Sequence, residues 1–260
     1  MPHLTRDGVR LYYEDRGAGD PPMLFIHGWC CDLTYLAPQV AHFSERHRCV
    51  SIDLRGHGES DKPVQEYSIA GFADDVAWLC GQLALERPVV VGHSMGGATA
   101  LGLAAAHPGL PAAVVMLDAP ILLPGELVSA LLPRLLEAFR SPGYQEAARQ
   151  FVAAQMFRPG DDLERKERIL DAMTAAPQHV LGPAFGAIGD FDSAASLQAC
   201  KVPALFIAAD PLLSDLRRMR ELCPTLLIGG TAGAGHFHQL EVPEQVNAMI
   251  ERFLAINAFG

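Results

Sequence analysis

The sequence lacks the features that would place this chain on nucleic acid or in a membrane. Basic residues are outnumbered, since 20 Lys and Arg face 30 Asp and Glu and the formal net charge is −10. Phosphate backbones and anionic lipid surfaces repel an acidic protein. No run reaches the roughly 18 consecutive apolar residues that indicate a membrane-spanning helix. We therefore expect neither nucleic acid nor a membrane as a partner.

Two other absences concern the cellular compartment and phosphate binding. The first residues show no basic segment followed by an apolar core, so no secretory signal peptide is indicated. The six cysteines are scattered without C-x-x-C spacing, and we expect reduced, buried thiols in a cytoplasmic protein. The G-x-x-x-x-G-K pattern of a phosphate-binding loop is also missing.

What the sequence does contain is a regular alternation of strand and helix patterns. Its 260 residues suit one domain with an insertion better than two domains. The strand candidates are apolar throughout, as in a parallel sheet that helices cover on both faces. We predict an α/β fold with a mostly parallel, eight-stranded sheet. Typical strand candidates are "MLFI", "CVSIDL", "VVV" and "AAVVMLD".

The alternation stops in the middle of the chain, where helical patterns follow one another without a strand candidate. These patterns are "ELVSALLPRLLEAF", "YQEAARQFVAAQMF" and "DLERKERILDAMTAA". Proline–glycine pairs, including Gly182-Pro183, indicate where the helices end. The strand pattern then resumes with "VPALFIAAD". We predict a core domain of residues 1–120 and 200–260, and a helical cap of residues 121–199 inserted after the sixth strand.

A buried strand meets a helix almost directly in "PVVVGHSMGG", with Ser94 at the bend. Gly92 and Gly96 leave the room that so tight a turn needs. A G-x-S-x-G motif between a strand and a helix is typical of a nucleophile elbow. Because a serine hydroxyl is a weak nucleophile at neutral pH, it needs a nearby base and a third group that orients the base.

Polar residues at the ends of other predicted strands can supply those two groups. The carboxyl ends of parallel strands meet at one edge of a sheet, where active sites form. His236 lies beyond the eighth strand, while Asp118 follows the sixth strand and Asp210 follows the seventh. Serine, acid and histidine in this chain order are typical of a hydrolytic triad. The order alone leaves the choice between the two aspartates open.

These motifs resemble the α/β-hydrolase superfamily, and within it the capped, esterase-like branch. The resemblance implies that Ser94 is the nucleophile and His236 the general base. It also implies that the main-chain N–H groups of Trp29 and Met95 form an oxyanion hole. The matching stretches are "LFIHGW", "DLRGHGESD", "GHSMGG", "VPALFIAAD" and "GAGHFHQLEVPEQV".

The identity of the acid is where the match is loosest. Most members of the family end the seventh strand with G-x-x-D, whereas this chain reads Ala208-Ala209-Asp210 and lacks the glycine. Asp118 resembles the acid of branch members that take it from the end of the sixth strand. We therefore favour Asp118 slightly over Asp210, and Asp215, in the helix that follows, comes third.

The other polar residues of these motifs have structural explanations. We expect His93 and His238 to pack and form hydrogen bonds, and Arg55 and Ser60 to hold the loop around His57. The histidines lack the H-x-x-x-H spacing and the acidic neighbours of a metal site, so we expect no metal.

The resemblance implies a serine hydrolase that acts on carboxylic esters or lactones. The stretches "LLPRLLEAF" and "FVAAQMF" of the insertion have apolar faces that we expect to roof the site, so we expect small or medium, largely uncharged substrates. Such an enzyme needs no cofactor, and its partner is a small-molecule substrate. Two alternatives use the same triad, namely carbon–carbon bond hydrolysis of a ring-cleavage diketone and cofactor-free perhydrolysis or acyl transfer. A small-ligand receptor with an intact triad is the alternative that is not an enzyme. A homodimer is compatible with the sequence.

Overall fold

The computed structural model describes residues 2–259, within which eight strands form one sheet in the order β1-β2-β4-β3-β5-β6-β7-β8. Strands β1 and β2 pair antiparallel, β2 runs antiparallel to β4, and β3 to β8 are parallel. The predicted α/β fold with a mostly parallel eight-stranded sheet is confirmed. The strands are β1 (His3–Arg6), β2 (Val9–Arg16), β3 (Met23–Ile26), β4 (Cys49–Ile52), β5 (Val89–His93), β6 (Ala113–Leu117), β7 (Ala204–Ala208) and β8 (Leu226–Gly230).

The central strands bury both of their faces, which explains their continuous apolar runs. On β3, Leu24 and Ile26 belong to the same buried cluster as residues of α2 (Ile69–Gln82) and α3 (Met95–Ala106). The alternate residues Met23 and Phe25 belong to a second cluster with residues of α1 (Ala37–Phe43) and α11 (Pro243–Ile256). The sheet therefore separates two apolar cores, each closed by its own helices.

A series of helices lies between β6 and β7. A π-helical turn at Leu127–Leu131 leads into α4 (Leu132–Arg140), followed by α5 (Tyr144–Gln155), α6 (Leu163–Thr174), α7 (Gln178–Gly189) and α8 (Ser193–Ala199). The last of these, α8, contacts α3 and α9 (Leu216–Leu222). A short α10 (His238–Glu241) precedes α11. None of the helices between residues 2 and 259 is long and apolar enough to cross a bilayer.

The expectation that a helix ends at Gly182-Pro183 is wrong, because α7 continues through Pro183. A proline inside a helix removes one main-chain N–H donor and costs roughly 3 kcal/mol. The helix persists because Val180, Leu181 and Ala184 are fully buried and α7 packs along α4. Tertiary packing here outweighs the local preference of proline.

The turn between β5 and α3 depends on two close backbone approaches. Ser94 stands there with φ 52° and ψ −120°, a conformation that L-residues rarely adopt. A Cβ atom on Gly92 would lie 2.1 Å from the carbonyl oxygen of Gly96. A Cβ atom on Gly96 would lie 2.2 Å from the carbonyl oxygen of Ile26 on β3. Backbone atoms cannot move aside cheaply, so the turn requires glycine at both positions.

Replacing Gly96 by alanine should therefore destabilise the protein by about 2 kcal/mol or more, through overlap with backbone rather than with a flexible side chain. Chemical denaturation measures the free energy of unfolding. The matched control is Gly81→Ala in α2, where a Cβ atom meets nothing within 4 Å. That variant should be more stable by up to about 1 kcal/mol, because alanine favours helix more than glycine does. Equal effects of the two substitutions would contradict this explanation of the turn.

His238, the first residue of α10, is a fully buried histidine close to the sheet edge. Its Nδ1 atom lies 3.1 Å from the hydroxyl oxygen of Thr231. Its Nε2 atom has no hydrogen-bond partner among the described residues. Burial lowers the pKa of His238 to about 4, although the charge of Asp118 acts in the opposite direction. The folded protein therefore holds this imidazole in its neutral form.

A buried neutral histidine makes the protein less stable in acid. Between pH 6.5 and about 4, the unfolded chain binds a proton at residue 238 that the folded chain does not bind, so lowering the pH favours unfolding. Between pH 7.5 and pH 5, this one group should remove about 2 kcal/mol of stability. His238→Asn lacks this titrating group. Between pH 7.5 and pH 5, its free energy of unfolding should therefore fall by about 2 kcal/mol less than that of wild type. Identical pH dependence of unfolding in the two proteins would contradict the assignment.

Candidate active site

The carboxyl ends of the parallel strands bring the predicted site residues to one edge of the sheet. Trp29 follows β3, Ser94 follows β5 and Asp118 follows β6. His236 lies in the loop between β8 and α10. Because β3, β5 and β6 are neighbours in the sheet, residues far apart in the sequence converge here.

Asp118 and His236 form a hydrogen-bonded pair. The Nδ1 atom of His236 lies 2.7 Å from Oδ2 of Asp118. The other carboxylate oxygen of Asp118 accepts a hydrogen bond of 3.1 Å from the main-chain N–H of Ala209. Burial of the Asp118 carboxyl opposes its ionisation, but the hydrogen bond from His236, together with the charge that His236 and His238 carry when protonated, holds its pKa below the usual value. Asp118 is thus an anion that orients the imidazole.

The pairing also decides which imidazole nitrogen carries the proton. A carboxylate only accepts hydrogen bonds, so the neutral His236 ring must carry its proton on Nδ1. The lone pair is then on Nε2, which can accept a proton from another group. An imidazole arranged in this way can act as a general base whose orientation is set by the Asp118 carboxylate.

The other two candidate acids lie elsewhere. Asp210 forms an ion pair with Arg158, which follows α5, and the Asp210 side chain is 58% exposed. Asp215 does not lie inside a helix as expected but caps the start of α9, where it accepts a hydrogen bond of 2.9 Å from the N–H of Arg218. Of the aspartates that the sequence left open, the structure brings Asp118 to His236.

Ser94 and His236 line the same cavity, which has a volume of about 130 Å³. None of the hydrogen bonds of the described residues joins the Ser94 hydroxyl to His236, although both side chains border this space. In enzymes without bound ligand, such contacts are often long and tighten when substrate binds. A group bound in the cavity would contact the hydroxyl and the imidazole together.

The rest of the cavity wall is almost entirely apolar. Besides Ser94 and His236, Gln155 is the polar residue that lines it, and no Lys, Arg, Asp or Glu of the described chain does so. Most of the lining comes from the helices between β6 and β7. The apolar lining residues are Pro120, Leu123, Leu127, Val128, Leu131, Leu132, Leu135, Phe151, Met156, Phe185, Ile188, Gly189 and Leu213.

Met95 and Trp29 carry the two main-chain N–H groups that are predicted to form the oxyanion hole. Met95 is the first residue of α3, where the helix dipole favours negative charge. Trp29 follows Gly28, and a Cβ atom on Gly28 would lie only 3.2 Å from Cβ of Ser94. Both residues are buried, and none of the main-chain hydrogen bonds found within residues 2–259 uses either N–H as a donor. The pair is suited to binding an oxygen that carries negative charge.

His93 holds the loop that carries His236. Its Nε2 atom lies 2.8 Å from the carbonyl oxygen of His236, and the two imidazole rings are 4.7 Å apart. Burial, reinforced by the charge of His236, lowers the pKa of His93 well below its usual value. A neutral His93 donates this hydrogen bond, in agreement with the structural role that we expected for it. Nothing in the sequence indicates that its hydrogen-bond partner is the main chain of His236.

The loop after β4 is also held as a structural unit. The Ser60 hydroxyl donates a hydrogen bond of 2.6 Å to the carbonyl oxygen of Asp53. Arg55 pairs with the buried carboxylate of Asp75, at 2.8 Å. His57 is fully enclosed and burial lowers its pKa to about 3. No group of three potential metal ligands converges in the part of the chain that the structure describes.

Sequence reasoning missed Phe185 of α7, which lies in none of the stretches expected to cover the site. Phe151 and Gln155 belong to "FVAAQMF", one of the two stretches whose apolar faces predict a cover over the site. Arg158 carried no motif at all, although it pairs with Asp210. Their positions depend on how α5 and α7 pack over the sheet edge, which no local pattern specifies.

Comparison with known proteins finds similar sequences and similar solved structures. The chain is 29% identical to the AB hydrolase superfamily protein YisY of Bacillus subtilis, over 96% of this chain and 97% of that protein. A solved thermophilic esterase from Thermogutta terrifontis superposes with a TM-score of 0.87 at 25% identity, covering 99% of both chains. Est816, described as an N-acyl homoserine lactone degrading enzyme, gives a TM-score of 0.82 at 27% identity, covering 97% of this chain and all of its own.

These similarities support a general hydrolase role and leave the substrate undetermined. The family model of the alpha/beta hydrolase fold matches residues 21–243, which include every candidate site residue named above. The chain belongs to the alpha/beta hydrolase fold family.

Proposed function

We propose that this protein is a serine hydrolase that cleaves small or medium, largely uncharged carboxylic esters or lactones through an acyl-enzyme on Ser94. One observation carries the proposal, namely that His236, which is hydrogen-bonded to Asp118, borders the same apolar cavity as Ser94. A buried carboxylate is expensive to maintain, and one that is hydrogen-bonded to an imidazole is typical of sites where a base must be oriented.

In the first step, His236 removes the proton from the Ser94 hydroxyl as its oxygen attacks the ester carbonyl. The proton goes to Nε2, because Nδ1 is already bonded to Asp118. The imidazolium that forms is stabilised by the adjacent carboxylate, which keeps its charge because its pKa is low. His236 then donates the proton to the departing alcohol, which leaves an acyl group on Ser94. Water repeats the sequence and releases the acid.

The negative oxygen of the tetrahedral intermediate would accept hydrogen bonds from the main-chain N–H groups of Trp29 and Met95. Losing one such donor typically raises the barrier by about 3–4 kcal/mol. The strained φ of Ser94 supports this assignment, because the sharp bend presents the hydroxyl beside the first N–H of α3. No step of this sequence requires a cofactor.

The cavity wall supports the proposed substrate class. A volume of about 130 Å³ is close to that of apolar protein cavities of ~150 Å³ that take up benzene. Because no Lys, Arg, Asp or Glu side chain of the described residues lines it, a charged acyl group would lose its hydration without compensation. We propose that the helices of residues 121–199 act as the cap that excludes water from this space.

The choice of acid gives a direct test of the triad. Asp118→Asn should lower kcat for an activated ester by at least about a thousandfold, because the amide no longer holds the required His236 tautomer. Asp210→Asn is the matched control, and since it loses only a surface ion pair with Arg158, kcat should stay within about threefold of wild type. A large loss in Asp210→Asn together with normal turnover in Asp118→Asn would reverse the assignment.

A panel of p-nitrophenyl esters tests the substrate class, with Ser94→Ala as the inactive control. We expect kcat/KM to be highest for uncharged acyl groups of two to about six carbons, which suit the cavity volume. A succinate half-ester should be at least about tenfold slower, because its carboxylate must enter an apolar wall. Preference for charged or very long acyl groups would contradict the proposed class.

The same panel separates the remaining alternatives. Cleavage of a ring-fission diketone in the absence of ester hydrolysis would favour carbon–carbon bond hydrolysis. Peracid formation or acyl transfer that outcompetes hydrolysis would favour the second alternative. Tight binding of esters without Ser94-dependent turnover would indicate a receptor.

A further inference from the structure

Trp29 joins the candidate oxyanion site to the helices between β6 and β7. Its side chain is 3% exposed, although the residue belongs to a loop of the core. The indole Nε1–H donates a buried hydrogen bond of 2.8 Å to the carbonyl oxygen of Leu181 in α7. Trp29 therefore directly follows Gly28, the residue that approaches Ser94, while its side chain is hydrogen-bonded to the helical segment 121–199.

Three phenylalanine rings surround the indole, one each from α4, α5 and α7. The centroid of the Trp29 ring lies 5.7 Å from that of Phe139, 6.3 Å from Phe151 and 4.9 Å from Phe185. The three phenylalanines also contact one another, with centroids 5.2 to 6.4 Å apart. The indole is thus fixed by polar and aromatic contacts to the same three helices.

The main chain around Trp29 is tightly constrained, so the indole and the main-chain N–H of this residue have little freedom to move independently. Cys30 has φ 52°, and the N–H of Cys31 donates to the carbonyl oxygen of Gly28 across a tight turn. Gly28 lies close to Ser94, because a Cβ atom on Gly28 would be only 3.2 Å from Cβ of Ser94. A shift of the indole would therefore be transmitted to the Trp29 N–H rather than absorbed by the loop.

Two of the three rings that hold the indole also form the wall of the cavity. Phe151 and Phe185 line it together with Ser94 and His236, whereas Phe139 is fully buried behind them. An acyl group that fills the cavity must press on the rings that fix Trp29. Interactions of this kind raise the rate when they strengthen in the transition state, rather than only tightening binding.

We infer that Trp29 is a positioning residue that couples filling of the cavity to alignment of its own main-chain N–H with the oxyanion. The inference rests on the proposed serine-hydrolase function and deepens it. Acyl groups that reach Phe151 and Phe185 should gain in kcat and not only in KM. The preferred substrates are then uncharged esters whose acyl chain is long enough to contact both rings.

The test compares kcat and KM for p-nitrophenyl butyrate and p-nitrophenyl acetate. In wild type, kcat for the butyrate should exceed kcat for the acetate by at least fivefold. Trp29→Phe keeps an aromatic ring but loses the donor to Leu181. In this variant the kcat ratio should fall below twofold, while KM for each ester changes by less than threefold.

The matched control is His179→Leu, which also removes a hydrogen bond from α7 to the core. The Nε2 atom of His179 lies 2.9 Å from the carbonyl oxygen of Lys62, and His179 does not line the cavity. This variant should keep the wild-type kcat ratio. If Trp29→Phe does not fold, Phe139→Leu replaces it, because Phe139 touches the indole but not the cavity.

The outcomes separate this inference from the function on which it rests. A wild-type ratio near one, or an unchanged ratio in the Trp29 or Phe139 variant, overturns the inference and leaves the hydrolase intact. Absence of Ser94-dependent turnover in wild type overturns both. If the kcat ratio fell as far in His179→Leu as in Trp29→Phe, any loss of contact between α7 and the core would be enough to cause the effect. That result would also overturn the inference.

Discussion

The hydrogen bond from His236 to Asp118 is the interaction on which the proposed chemistry of the site depends. It fixes the imidazole tautomer, and it keeps a carboxylate charged in a buried position that would otherwise favour its neutral form. Its geometry comes from two strand ends and a loop. Asp118 leaves β6 with φ 43° and is held by Ala209, while His93 holds the main chain of His236. Without this pair, Ser94 would be an ordinary hydroxyl beside an apolar cavity.

The core domain and the helices between β6 and β7 contribute different parts of the site. The sheet edge supplies the reactive groups, whose positions are set by close backbone approaches at Gly92 and Gly96. The helices between β6 and β7 supply most of the cavity wall and therefore its apolar character. Trp29 belongs to both parts, since its main chain directly follows Gly28, which approaches Ser94, and its indole is hydrogen-bonded to α7. Rate and selectivity are for this reason expected to change together when the helices shift.

Much of this arrangement is predictable from the sequence. The apolar strand runs indicate the parallel sheet, and the glycines around Ser94 indicate the bend. The acid is predictable only as a slight preference for Asp118 over Asp210, because β6 and β7 are neighbours and an aspartate follows each of them at the same sheet edge. Which aspartate meets His236 depends on contacts between distant segments. The N–H of Ala209 donates a hydrogen bond to Asp118, whereas Asp210 forms an ion pair with Arg158. The continuation of α7 through Pro183 is also not predictable from the local sequence. Burial against α4 outweighs the tendency of proline to end a helix.

The central claim is that the Asp118–His236 pair makes the Ser94 hydroxyl nucleophilic. Reaction of the protein with a fluorophosphonate, followed by intact-mass measurement and peptide mapping, tests it most directly. We expect one adduct per chain, located on Ser94, and at least about a thousandfold slower reaction when His236 is replaced by Gln. An adduct on another residue, no adduct on the folded wild-type protein, or equal rates in the two proteins would contradict the claim.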